Sequence, residues 1–210
     1  VFYSIRGKQR ELIPLALTMA LAVMNGMIGF VDDYTKLIKK QNEGLKAYQK
    51  TVLQITVAIF YLALLYMLGY LDTTIHIPFT EIRIDLGIVY YLFALMVIYL
   101  MVNSVNLTDG IDGLASSVTL VVGGFLSACA FRWEMRALSL IGALLIGGMI
   151  GFLVYNFHPA RVFMGDTGSL FLGAVIMGCA IMAGELILFV LAGLMFVIEM
   201  LSSLIQILGY

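Results

Sequence analysis

Among the polar segments that interrupt a largely apolar chain, three carry acidic residues at spacings suited to chemistry. In Phe30-Val31-Asp32-Asp33-Tyr34-Thr35-Lys36, two adjacent carboxylates stand one helical turn before a lysine. Such a pair could hold a hard cation, which takes oxygen ligands, while nearby lysines could take phosphate oxygens. Neighbouring Asp side chains repel unless a cation or proton intervenes. The plainer reading is a solvated Asp32–Lys36 pair four residues apart, worth roughly a few tenths of a kcal/mol.

In the second segment, Asn103-Ser104-Val105-Asn106-Leu107-Thr108-Asp109-Gly110-Ile111-Asp112-Gly113, a glycine directly follows each Asp. These glycines let the backbone turn and present carboxylates and amides at the junction of two spans. A helix-ending turn with Asp112 capping the next helix would explain one Asp, but not two Asn and two Asp. The third segment is Asn156-Phe157-His158-Pro159-Ala160-Arg161-Val162-Phe163-Met164-Gly165-Asp166-Thr167-Gly168-Ser169. Asp166 there reads by itself as a helix cap with Ser169 at the third position, and its coincidence on one face with an Asp pair and a lysine cluster is what draws attention to it. Phe163 reads as an interfacial anchor.

What must position these residues is a membrane. The chain is 62% hydrophobic and 12% charged, which leaves more apolar surface than a core of 210 residues can hide. Uncharged runs cover Leu12–Val31, Thr51–Leu71, Leu86–Thr108, Gly113–Phe131, Ala137–Phe157 and Thr167–Gly184, and Leu186–Tyr210 is broken only by Glu199. Each approaches the roughly 20 residues a helix needs to cross about 30 Å of hydrocarbon. The runs lack the two-residue alternation of a barrel, so an all-α integral membrane protein with about seven spans is expected.

Counting crossings places Asp32–Lys50, Asn106–Asp112 and His158–Asp166 on one face, two spans apart. Lys36, Lys39, Lys40, Lys46, Lys50 and Arg161 share that face. The other face is comparably basic, so positive charge does not orient the chain. Between the second and third spans, the alternation from His76 to Ile84 predicts a small β-hairpin on the non-catalytic face. Gly147 and Gly151 predict a close helix contact. Cys129 and Cys179 lie within spans as packing residues. Residues 1–210 read as a single domain, and the natural polypeptide is expected to extend beyond Val1 and Tyr210.

In three ordered blocks the chain resembles the polyprenyl-phosphate N-acetylhexosamine-1-phosphate transferases. The blocks are Gly29-Phe30-Val31-Asp32-Asp33, Asn106-Leu107-Thr108-Asp109-Gly110-Ile111-Asp112-Gly113-Leu114-Ala115 and Phe163-Met164-Gly165-Asp166-Thr167-Gly168-Ser169-Leu170. Phe196-Val197-Ile198-Glu199-Met200 extends the likeness. Lys36 and Glu43-Gly44-Leu45 resemble the muramoyl-pentapeptide branch of that family. About ten spans are implied for the whole protein, together with an upstream loop and a downstream histidine-rich loop that this chain does not contain.

The resemblance implies Mg2+-dependent transfer of phospho-N-acetylmuramoyl-pentapeptide from its UDP carrier (UDP-MurNAc-pentapeptide) to undecaprenyl phosphate. The products are lipid I and UMP, formed at the cytoplasmic face of a bacterial inner membrane. It further implies metal at Asp166, shared with Asp32 or Asp33, and phosphate contacts from Lys36, Lys40 and Lys46. Asn103, Asn106, Asp109, Asp112, Asn156 and Phe163 match positions for substrate, with Phe163 stacking on uracil. Asp32 is open between metal ligand and base for the acceptor phosphate. The expected partners are the two substrates and the lipid bilayer, with no nucleic acid, and a homodimer stays open. The rival readings are the N-acetylglucosamine-1-phosphate branch and an ion-coupled transporter, the latter motivated by Glu199 within an apolar run.

Overall fold

A computed structural model describes residues 2–41 and 43–208. The order is α1 (Phe2–Lys39), α2 (Ala47–Met67), β1 (Thr74–His76), β2 (Arg83–Asp85), α3 (Val89–Thr108), α4 (Leu114–Arg132), α5 (Arg136–Asn156), α6 (Gly165–Ala183), α7 (Leu186–Ala192) and α8 (Leu194–Leu208). Six helices are long and apolar enough to cross a membrane: α2 to α6, and α1 from Glu11 to Lys39. The chain is therefore a polytopic all-α membrane protein. Helices satisfy every backbone group internally, which hydrocarbon demands.

Two spans differ from the sequence expectation. The seventh is bent by 70° between α7 and α8. Gly193 lies at that break, where an added Cβ would come within 3.1 Å of the Met101 side chain on α3. The last residues of that expected span, Gly209 and Tyr210, lie outside the described residues. The first helix, at 38 residues, is about 57 Å long and outruns the hydrocarbon core. The polar segment expected from Asp32 to Lys50 is therefore helical through Lys39 and again from Ala47. Asp32, Asp33 and Lys36 accordingly ride on a rigid helix.

The core centres on α6, where Leu170, Ala174, Met177, Cys179 and Ala180 are fully buried. Helices α1 and α3 flank it, and α4 pairs with α5. That pairing is close at Gly142, where an added Cβ would collide with Ser127 of α4. Gly147 and Gly151, the expected contact, instead face open space among the described residues. Small residues let helices approach in lipid, but only on the face that meets a neighbour.

The hairpin forms as expected, antiparallel, with Ile75 opposite Ile84. His76 Nδ1 lies 3.0 Å from Glu185 Oε1 at the α6–α7 junction, and its Nε2 lies 2.8 Å from the Thr80 carbonyl. The hairpin is thereby fastened at the end of α6 opposite Asp166. Both cysteines are free.

Candidate active site

Helix α6 begins at Gly165, whose positive φ of 64° turns the chain into the helix and puts Asp166 in the first turn. The first amides of a helix lack intrahelical partners. Here Asp33, reaching across from α1, supplies acceptors. Its Oδ2 accepts from the Thr167 amide at 2.9 Å and the Thr167 hydroxyl at 2.7 Å, and its Oδ1 accepts from the Asp166 amide at 3.3 Å. Asp166 is thus not the cap of its own helix, as its sequence context allowed.

Around that junction, ligand oxygens of Asp32, Asp33 and Asp166 lie within 4.8 Å of one another. Lys36 Nζ sits among them, 2.6 Å from Asp32 Oδ2, 3.2 Å from Asp166 Oδ2 and 3.8 Å from Asp33 Oδ1. The Asp32–Lys36 pair is therefore one edge of a tertiary cluster. Lys50, in the first turn of α2, adds a second ammonium 2.8 Å from Asp166 Oδ2 and 3.2 Å from Asn106 Oδ1. Asn106 donates to Asp166 Oδ1 and to Ser169 Oγ, both at 2.8 Å. Asp32, only 3% exposed, accepts the Leu45 amide at 2.7 Å on Oδ1.

This donor set fits a hard divalent cation. It is all oxygen, and three carboxylates outnumber the two ammoniums, so one negative charge is left uncompensated. Lys36 already stands where the carboxylates converge, as a built-in cation.

The other sequence candidates take different places. Asp109 terminates α3 and is partly buried. Burial, reinforced by the charges of Asp166 and Asp33 and opposed by the Gly165 amide, pushes its carboxyl up to about 6. Asp112 does not cap α4, whose cap position is Gly113. It bridges to the α5–α6 loop instead, accepting the Ala160 amide and facing His158 Nδ1, both at 3.0 Å. The Ala160 amide lowers its carboxyl pKa against the effect of burial, and His158 adds to the lowering.

Asn156 is buried, with Oδ1 taken by Ser116 at 2.7 Å and Nδ2 donating to the Val162 carbonyl at 2.9 Å. It shapes the loop that carries Phe163, which is 64% exposed. Asn103 points to α2 and donates to Gln54 at 3.0 Å, away from the acidic cluster. Lys40 and Lys46 are exposed, and neither forms an ion pair among the described residues. Glu199, in α8, is partly buried and forms no ion pair among the described residues either.

Sequence reasoning counted Lys50 on the right face but did not select it, and it passed over Thr167 as a partner of Asp33. The available signal for Lys50 was its place at the boundary of an apolar run, one helical turn beyond Lys46. Thr167 carried no signal in one dimension, because its partner lies 134 residues away.

Residues 15–184, which contain every member of this cluster, match the model of glycosyl transferase family 4. The chain is 40% identical over 199 residues to a phospho-N-acetylmuramoyl-pentapeptide-transferase of Bacillus licheniformis, covering 93% of this chain and 60% of that one. A protein of the same name from Staphylococcus carnosus is 38% identical over 199 residues, covering 94% and 62%. Another from Bacillus subtilis is 38% identical over 204 residues, covering 97% and 63%. The chain thus spans about 60% of the length of these curated relatives. With a family match that runs from α1 through α6 and encloses the whole acidic centre, the chain belongs to glycosyl transferase family 4.

Proposed function

We propose that the chain carries the catalytic centre of a phospho-sugar transferase of the bacterial cytoplasmic membrane. It moves phospho-N-acetylmuramoyl-pentapeptide from UDP to undecaprenyl phosphate, and its centre faces the cytoplasm. The observation that carries this reading is the convergence of Asp32, Asp33 and Asp166 around Lys36, with Lys50 alongside. The relatives' printed name supplies the substrate class.

Donor and acceptor are both anionic, so the transfer needs charge neutralisation and in-line placement more than a covalent nucleophile. An acceptor phosphate oxygen attacks the sugar-bearing phosphorus of the donor; the pyrophosphate P–O bond breaks and UMP leaves with that electron pair. Lys36 and Lys50 are placed to hold phosphate oxygens. Asp32 orients the acceptor phosphate or takes its proton, for which one of its present contacts, to Leu45 or Lys36, must yield. Asp166, with Asp32 or Asp33, would hold Mg2+. When bound, Mg2+ supplies Lewis-acid stabilisation of charge developing on the diphosphate oxygens. Phe163, exposed on the loop preceding α6, offers its ring to the uracil.

The test is incubation of the full-length protein with candidate UDP-sugars and a polyprenyl phosphate, followed by identification of the lipid product. Product bearing muramoyl-pentapeptide is expected. It should depend on a divalent cation, and Asp166→Asn should lower turnover by about two orders of magnitude or more. Product bearing N-acetylglucosamine would move the protein to the sister branch. Gradient-driven flux without turnover would overturn the transferase reading.

A further inference from the structure

The three carboxylates differ in what occupies their oxygens, and the difference divides their roles. Within the transferase reading above, the geometry points to Asp33 as a positioning residue that sets Asp166 by capping α6 from α1, leaving Asp32 and Asp166 as the cation ligands. Asp33 Oδ2 already accepts two hydrogen bonds, from the Thr167 amide and hydroxyl, which fill its lone-pair directions. Its Oδ1 accepts from the backbone of Asp166 itself. Helix α6 needs this external acceptor, because its own cap position, Met164, contributes no side-chain hydrogen bond. A carboxylate there also faces the positive end of the helix dipole.

Asp32 and Asp166 are arranged differently. The oxygens they turn to Lys36 lie 2.6 and 3.2 Å from its ammonium, whereas the nearest Asp33 oxygen is 3.8 Å away. A divalent cation taking the ammonium's place would therefore meet Asp32 Oδ2 and Asp166 Oδ2 first. Neither of those oxygens accepts from a backbone amide: Asp32 Oδ2 meets the Lys36 ammonium and Asp166 Oδ2 the side-chain ammoniums of Lys36 and Lys50, while Asp32 gives its other oxygen to Leu45 and Asp166 its other oxygen to Asn106. Asp33 acts on the cation only through the backbone of Asp166. Moving Asp33 would move the carboxylate of Asp166 away from Lys50 and Asn106.

A change of metal preference separates ligand from positioner without relying on turnover. Thiolates favour soft metals, so a cysteine at a ligating position binds Cd2+ and gives a thiolate-to-metal charge-transfer band. In the full-length protein titrated with Cd2+, Asp32→Cys and Asp166→Cys are expected to develop that band, and Asp33→Cys is not. A second arm works in chelator. Asp33→Ala should lower the unfolding midpoint by about several degrees, and Asp33→Asn, which keeps a capping oxygen, should recover most of that loss. An equally strong band in Asp33→Cys, no band in any variant, or equal stability of Asp33→Ala and Asp33→Asn would each overturn the division of roles. Failure of the transferase reading would show separately, as a wild-type protein that turns over no UDP-sugar.

Discussion

Lys50 Nζ stands 2.8 Å from Asp166 Oδ2, although 116 residues separate the two in sequence. Both side chains are largely withdrawn from solvent, and the same ammonium reaches Asn106. Removing one partner of such a pair leaves the other charge poorly compensated, which costs more than the pair itself contributes. Lys50→Met should therefore lower turnover by about tenfold or more and reduce the unfolding midpoint, while Lys50→Arg should retain part of both. Wild-type turnover in a correctly inserted Lys50→Met protein would remove Lys50 from the centre.

The contact between α1 and α6 makes a second prediction. At Gly29 an added Cβ would run into the backbone carbonyl of Asp166, whereas at Gly26 its nearest neighbours would be the Phe171 Cβ and the Thr167 carbonyl oxygen at 3.4 Å. Backbone cannot swing aside as a side chain can. Gly29→Ala should thus cost about 1–3 kcal/mol of stability and most of the activity, with Gly26→Ala far milder. Thermal unfolding and turnover of the two variants, measured side by side, check this. Equal effects would mean that α1 and α6 are not held this closely.

Phe163 tests the nucleotide side. Stacking on a base is worth about 1–3 kcal/mol, so Phe163→Ala should weaken UMP binding by roughly five- to a hundredfold with little effect on the lipid acceptor. At 64% exposure the ring contributes little packing, and the variant should fold normally. Calorimetric titration of UMP into both proteins decides the matter. An unchanged dissociation constant would return Phe163 to the role of an interfacial anchor.

The carboxyl of Asp109 is raised from 3.8 to about 6, chiefly by burial. An acid whose folded pKa exceeds its unfolded value binds its proton more tightly when folded. The stability it permits is full below about pH 4 and declines as pH rises through about 6. Asp109→Asn removes the charged form, so in chelator it should raise the unfolding midpoint relative to wild type at pH 8, keep about half of that advantage at pH 5 and lose most of it by about pH 4. A difference independent of pH would show that Asp109 does not titrate in this range.

The apolar spans could be read from the sequence because hydrocarbon imposes one rule on every crossing: about 20 residues, helical, with few charges. From Thr51 to Gly184 that rule found the membrane helices within a few residues at each end, and crossing parity put Asp32, Asn106 and Asp166 at one face. The hairpin near His76 followed from its alternation. What the rule misses is where a helix continues or breaks for reasons other than lipid. Thus α1 runs past Asp32 to Lys39, and the last run breaks at Gly193 where it meets Met101.

Within the centre, parity gives a shared face but no rotation of one helix against another. Of the five lysines from Lys36 to Lys50, the sequence singled out Lys36, Lys40 and Lys46 for phosphate, yet among the described residues only Lys36 and Lys50 reach the carboxylates, because the turns of α1 and α2 aim them inward. The close contact of α4 with α5 fell to Gly142 rather than to Gly147 and Gly151 for the same reason: spacing defines a stripe, and the neighbour decides which stripe is used. Asp33 is the clearest case. Beside Asp32 it looked like half of a pair, but successive residues on a helix point about 100° apart. Only the packing of α1 against α6 turned one carboxylate to the cap of a distant helix and its neighbour to Lys36.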